Sequence, residues 1–162
     1  MRASTLKFFA FVLLAVALLA GAVILGPADS VYAAADNTTV SYEGIKTNED
    51  RVGFIEKLGI SVKDTPTDEQ SFTVPDSFDR VISGYNELQK RQGLSLDKYA
   101  GKKVTRYTYE VENYKGHEGT VYANLFIYKS RIVACDICGA SPNSFVAPLT
   151  LVDQSMLDNN EK

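Results

Sequence analysis

One histidine and two cysteines are the whole stock of soft metal ligands in this 162-residue chain. Zinc takes four ligands. Only His117 could join Cys135 and Cys138 without recourse to carboxylates, so no metal and no cofactor is expected. No nucleophile elbow, zinc-protease helix or phosphate loop is present. Internal repeats and low-complexity stretches are absent too, which leaves solenoids and disordered scaffolds without support. Basic residues do not gather in a stripe, so nucleic acid is excluded as a partner class. The chain is of one-domain length, and 23% charged with 45% apolar residues is ordinary globular material.

The apolar residues are unevenly spread. Phe8 to Leu25 runs for eighteen residues without a charge, about 27 Å as a helix and close to a bilayer core. Arg2 and Lys7 precede it, which orients the N-terminus inward. Ala33-Ala34-Ala35 offers a small-residue cleavage site before Asp36. Two readings stay open for residues 1–35: a cleaved signal peptide, or an uncleaved anchor with a transmembrane helix at residues 8–25. No cysteine follows the run, which argues against a lipoprotein. Either reading places residues 36–162 outside the cytoplasm, secreted or membrane-anchored. That part holds 15 basic and 19 acidic side chains, a net charge of about −4.

Residues 36–46 read as a polar tether or a strand lead-in. Thr47-Asn48-Glu49-Asp50 starts a helix, because Thr47 accepts from the free amide three residues on and acids suit a helix N-terminus. Val52, Ile55 and Leu58 form its apolar stripe, and Gly59 ends it. Short strands follow at Ile60–Lys63 and Ser71–Val74. After Pro75, Asp76 or Ser77 caps a second helix, with Phe78, Val81, Ile82, Tyr85 and Leu88 on one face and Gly93 as its stop. The period then changes to two. Lys102–Asn113, Thr120–Tyr128 and Arg131 to about Asp136 read as an antiparallel meander, with a tight turn at Lys129-Ser130. Residues 139–148 form a loop that docks on the core. Residues 153–162 read as a flexible tail. The expected fold is α+β: two helices packed on one face of a mainly antiparallel sheet, in the order α-β-β-α-β-β-β, as a single domain at 47–152.

Several of these runs together resemble a known family. They are Tyr85-Asn86-Glu87-Leu88-Gln89-Lys90, Asp97 to Val104, Tyr107-Thr108-Tyr109 and Tyr122-Ala123-Asn124-Leu125. The chain is similar over roughly Asn48 to Cys138 to the domain of unknown function family 4830. Asp136-Ile137-Cys138 fits the ending of that family's third strand, whereas Cys135 stands where a glycine is typical. The resemblance implies a small envelope protein of Gram-positive bacteria with an N-terminal apolar segment. It implies no activity.

Four groups of residues carry candidate chemistry. Cys135 and Cys138 could be separate thiols, a disulfide or a redox pair. In an extended strand, residues three apart lie about 10 Å apart on opposite faces, beyond the roughly 7 Å reach of a disulfide. His117 sits in a glycine-flanked turn, where solvation is the plain reading and a Cys-His pair the sharper one. Glu110, Glu112 and Glu118 gather near one hairpin end. Paired acids can cleave glycosides, but acids beside a turn are ordinarily a solvated edge. Tyr107 and Tyr109 share one strand face, and Tyr122, Phe126 and Tyr128 share a face of the next. Sheet packing is the bland reading of these five. If the two faces coincide and stay exposed, they form an aromatic platform for an envelope protein or a cell-wall ligand. The expectation is a non-enzymatic binding module, with thiol-disulfide exchange through Cys135 and Cys138 as the alternative.

Overall fold

A computed structural model describes residues 40–141 and 144–158. Helix α1 spans Asn48–Glu56 and α2 spans Arg80–Lys90; the strands are β1 (Asp68–Thr73), β2 (Lys103–Val111), β3 (Val121–Tyr128), β4 (Arg131–Gly139) and β5 (Val146–Pro148). The five strands form one open antiparallel sheet in sequential order. The α+β class is observed, with both helices packed against this sheet.

Local chemistry explains the helix limits. Thr47 and Asp50 form a reciprocal capping box at α1. Gly59 leaves α1 at φ +78°, a left-handed backbone that favours glycine, and a Cβ there would also displace the Gln154 side-chain oxygen, 2.7 Å away. The cap of α2 is Asp79, which accepts from the amides of Val81 and Ile82. This differs from the expected Asp76 or Ser77, because the helix starts one turn later. Lys129 and Ser130 both take left-handed backbone, the geometry of a two-residue hairpin.

The strand count differs at two places. Ile60–Lys63 makes only an isolated bridge, Val62 with Val111, while Val146–Pro148 adds a short fifth strand. The described residues of the segments read as tether and tail, 40–46 and 153–158, also enter the fold. Ile45 is buried, and its amide bonds Ser130 beside the β3–β4 hairpin. Leu157 is buried and bridges Tyr114. Both residues add buried apolar area to the core.

Register divides the core in two. Tyr109, Ala123 and Ile137 are successive partners across β2, β3 and β4. They belong to one apolar cluster with Phe54 and Ile55 of α1. Arg106, Phe126 and Ala134 are likewise partners on the other face. There Phe126, Ala134 and Val104 pack with Ile82 and Tyr85 of α2. The single helical face of the sequence reading is thus refined to one helix on each side.

The transmembrane-helix expectation is corrected. Among the described residues no helix is long and apolar enough to cross a membrane. The run at residues 8–25 and the candidate cleavage site lie outside the described residues, and the expected helix is not carried further.

Candidate functional site

The sheet carries one unbroken polar row on the face covered by α2. Thr108, Asn124 and Asp136 stand directly opposite one another on β2, β3 and β4. The Thr108 hydroxyl donates to the Asn124 side-chain oxygen at 2.7 Å. The Asn124 amide donates to one carboxylate oxygen of Asp136 at 2.8 Å, and the Tyr85 hydroxyl donates to the other at 2.6 Å. All four residues are buried. The Asn124 amide also lies 3.4 Å from the Cys138 sulfur. Arg106, buried on the same face, donates to Asp68 at 2.6 Å and to Gln70 at 3.3 Å.

Burial pushes the Asp136 carboxyl above its ordinary range, against the hydrogen bonds from Tyr85 and Asn124 and the nearby Arg106 charge. Burial, with the Asp136 charge beside it, likewise raises the Tyr85 phenol and the Cys138 thiol. Every donor in the row points toward the carboxylate. The row therefore locks three strands and α2 in register. It presents no nucleophile.

A second polar cluster closes the sheet edge where β5 stops. The Gln89 side-chain oxygen accepts from the Cys135 amide at 2.9 Å. The Gln92 amide donates to Gln89 at 2.9 Å and to the Cys135 carbonyl at 2.7 Å. The Gln92 oxygen accepts from the Thr150 amide and hydroxyl. Two glutamines at the end of α2 thus take the place of a strand beside Cys135. Sequence reasoning misses them because it follows only the apolar positions of that helix. Long amides three residues apart at the helix end, just before Gly93, are the available signal.

The five aromatics of the expected platform do not form one face. Tyr107 and Tyr109 oppose Leu125 and Ala123, so their face of β3 carries its odd-numbered residues. Tyr122, Phe126 and Tyr128 lie on the other face. Tyr109 is fully buried, its hydroxyl held between Arg51 and Asn48. Phe126 is buried against Phe72 and Tyr85. Three stay half-buried at the surface. Tyr107 lies under the Arg51 guanidinium at 3.7 Å, Tyr128 packs edge-on against Tyr99, and Tyr122 stands between Glu110 and Cys138.

Cys135 and Cys138 are free, and both lie within β4 with side chains on opposite faces. Burial raises both thiols, and Cys135 lies among apolar neighbours. Neither is near a helix N-terminus that would favour the thiolate. Both thiols of the folded chain should resist iodoacetamide at neutral pH and react fully once the chain is denatured, as read by intact mass. Rapid labelling of either without denaturant would show that the strand opens.

His117 reaches neither cysteine. Its Nε2 lies 3.2 Å from the Ser144 hydroxyl, and its ring edge meets Phe145, which stacks on Tyr114. A Cβ on Gly139 would collide with both Ser144 and His117. Glu110 pairs with Lys63 at 2.9 Å, while Glu112 and Glu118 are exposed. Among the described residues no three His, Cys, Asp or Glu side chains group in a way that could hold a metal ion.

Tyr85, Thr108, Asn124 and Asp136 come from four separate runs of the chain and meet in one row. The same stretch is matched by the family model described as Domain of unknown function (DUF4830), which covers residues 54–137, more than half of the chain. The chain belongs to this family. The DUF4830 match spans both helices' core contacts and strands β1 to β4 up to Ile137. It ends short of β5 and of the segment that bonds Gln92. No curated protein and no solved structure matches the chain.

Proposed function

We propose that this small DUF4830 domain is a non-catalytic binding module of the cell envelope, working outside the cytoplasm. One observation carries the reading. Asp136 is buried in hydrogen bonds from Tyr85 and Asn124 and the two thiols lie within β4, while Tyr107, Tyr122 and Tyr128 keep partly exposed rings on the strands. Rigid aromatic side chains with polar tips bind partners at low entropic cost. Tyr107 is stacked under Arg51 and Tyr128 is packed against Tyr99, which hold these two rings in place. An envelope protein or a cell-wall ligand is the partner class. The N-terminal apolar run, with Arg2 and Lys7 before it and Ala33 to Ala35 after it, supports the compartment. Thiol-disulfide exchange is the weaker reading, since the two thiols face opposite ways and are both raised.

Photo-crosslinking probes at Tyr107 and Tyr128, in the full-length chain in its native envelope, test the proposal. One dominant adduct from either position is expected. Absence of any specific adduct, protein or glycan, at both positions would remove the aromatic surface from consideration.

A further inference from the structure

The β1 strand is an open edge. Its partner on one side is β2, and no described strand lies on the other. Val74 donates to the Lys102 carbonyl, so the ladder alternates from that bond. Glu69, Ser71 and Thr73 then turn their amides and carbonyls away from β2. All three residues are exposed. Edge strands resist pairing when they carry charged side chains, above all lysine, or a proline or a bulge. β1 reads Asp-Glu-Gln-Ser-Phe-Thr, with acids at its first two positions only and neither lysine nor proline, and its pairing with β2 shows no shift of register.

We propose that β1 pairs antiparallel with β1 of a second copy of this chain, about a two-fold axis through Ser71. Three outward residues on each strand suit this register. Ser71 meets Ser71, and Glu69 meets Thr73, with about six backbone hydrogen bonds exchanged. Registers centred one residue away use fewer outward groups. Charge favours the same alignment. Thr73 is the β2 partner of Lys103, and both share a face with Glu69. Across the two-fold axis, Glu69 of one copy lies two strand spacings, about 9.6 Å, from Lys103 of the other. A glutamate and a lysine together span that distance over the small Thr73 between them. Neither Glu69 nor Lys103 has an ion pair among the described residues. The axis supplies both links at once, the self-complementarity that closed dimers need. The result is one continuous ten-stranded sheet. The contact is small beside a stable dimer interface, so association is weak and suited to copies concentrated at one surface. This inference is independent of the aromatic binding reading.

The test uses the full-length chain and a reciprocal charge exchange. Ser71→Cys, exposed and bonded only to Thr105 through its side chain, should form a disulfide-linked dimer under mild oxidation. The exposed control Ser77→Cys and the parent chain should not. Glu69→Lys alone and Lys103→Glu alone should each slow trapping at position 71 about tenfold or more, and the double exchange should restore it. Circular dichroism of each variant checks that the fold is kept. Equal trapping at positions 71 and 77, or a double exchange no better than either single change, overturns the proposal. So would protection of the Ser71→Cys thiol by an added Lys-Thr alternating hexapeptide without any trapped dimer, which would assign the edge to extended basic peptides instead.

Discussion

Asp136→Ala should lower the unfolding free energy by about 3–5 kcal/mol, because it leaves the Tyr85 hydroxyl and the Asn124 amide buried without their shared acceptor. Asp136→Asn should be far milder. Its oxygen can accept from Asn124, and its amide can donate to the Tyr85 oxygen once that hydroxyl turns. The two variants together separate lost volume from lost hydrogen bonding. Urea unfolding at pH 7 measures both. A cost for the Ala variant equal to that of the Asn variant would show that the row is not a cooperative unit.

The same pair carries a pH dependence whose sign is opposite to the usual one for an aspartate. Burial raises the folded-state pKa of Asp136 above its unfolded value. Between the two values the native state binds more protons than the unfolded chain, so stability falls as pH rises. The contribution is fully present below the unfolded value, near 4. It is lost as pH rises through the folded value. The parent chain should therefore lose stability relative to Asp136→Asn as pH rises above about 4, and the difference should level off once Asp136 is ionised in both states. The groups facing it are Tyr85 from α2, Arg106 from β2, Asn124 from β3 and Cys138 from β4. Of these, Arg106 and the hydrogen bonds with Tyr85, Asn124 and Cys138 oppose the effect. Half-buried Asp50 and exposed Glu49, Asp97 and Asp153 have lowered values and act in the other direction. Taking the difference between parent and Asn variant cancels them. A difference that grows in favour of the parent as pH rises would mean that Arg106 outweighs burial.

Gln92→Leu should cost about 2–4 kcal/mol, nearly all of it through orphaned backbone rather than lost packing. The Cys135 carbonyl and the Thr150 amide lose the side chain that satisfies them. Gln89 keeps the Cys135 amide but loses its partner in the pair. Because Gln92 ties α2 to the chain after β5, the damage should be directional. Hydrogen exchange should quicken first at Thr150 and along β4 near Cys135, while the β2–β3 pairing keeps its protection. Uniform loss of protection across the sheet would show that the glutamines hold the whole domain together rather than one edge.

The helices and the meander were legible because each rests on short-range rules. Thr47 with Asp50, Gly59 after α1, Gly93 after α2, and the Val-Thr-Tyr alternation of β2 act within a few residues of themselves. The Lys129-Ser130 turn is local in the same way. The cysteine geometry also followed from the strand alone, since three residues along an extended chain reverse the side-chain direction. The position of the α2 cap was missed by one turn, because three candidate capping residues, Asp76, Ser77 and Asp79, precede that helix within four positions.

What the sequence could not decide was which faces meet. Nine residues, 112–120, separate β2 from β3, and a loop of that length leaves the parity of the pairing free. A shift of one residue moves every side chain to the other face. The actual register sets Tyr107 and Tyr109 apart from Tyr122, Phe126 and Tyr128. By the same alignment it brings Thr108, Asn124 and Asp136, each unremarkable in its own strand, into a single row that ends on Tyr85. Alternation, capping and turn chemistry are properties of neighbouring residues, so the sequence by itself determined the elements and their order. The platform's division and the polar row are properties of register and helix docking, set by side chains many residues apart, and only the tertiary structure decided them.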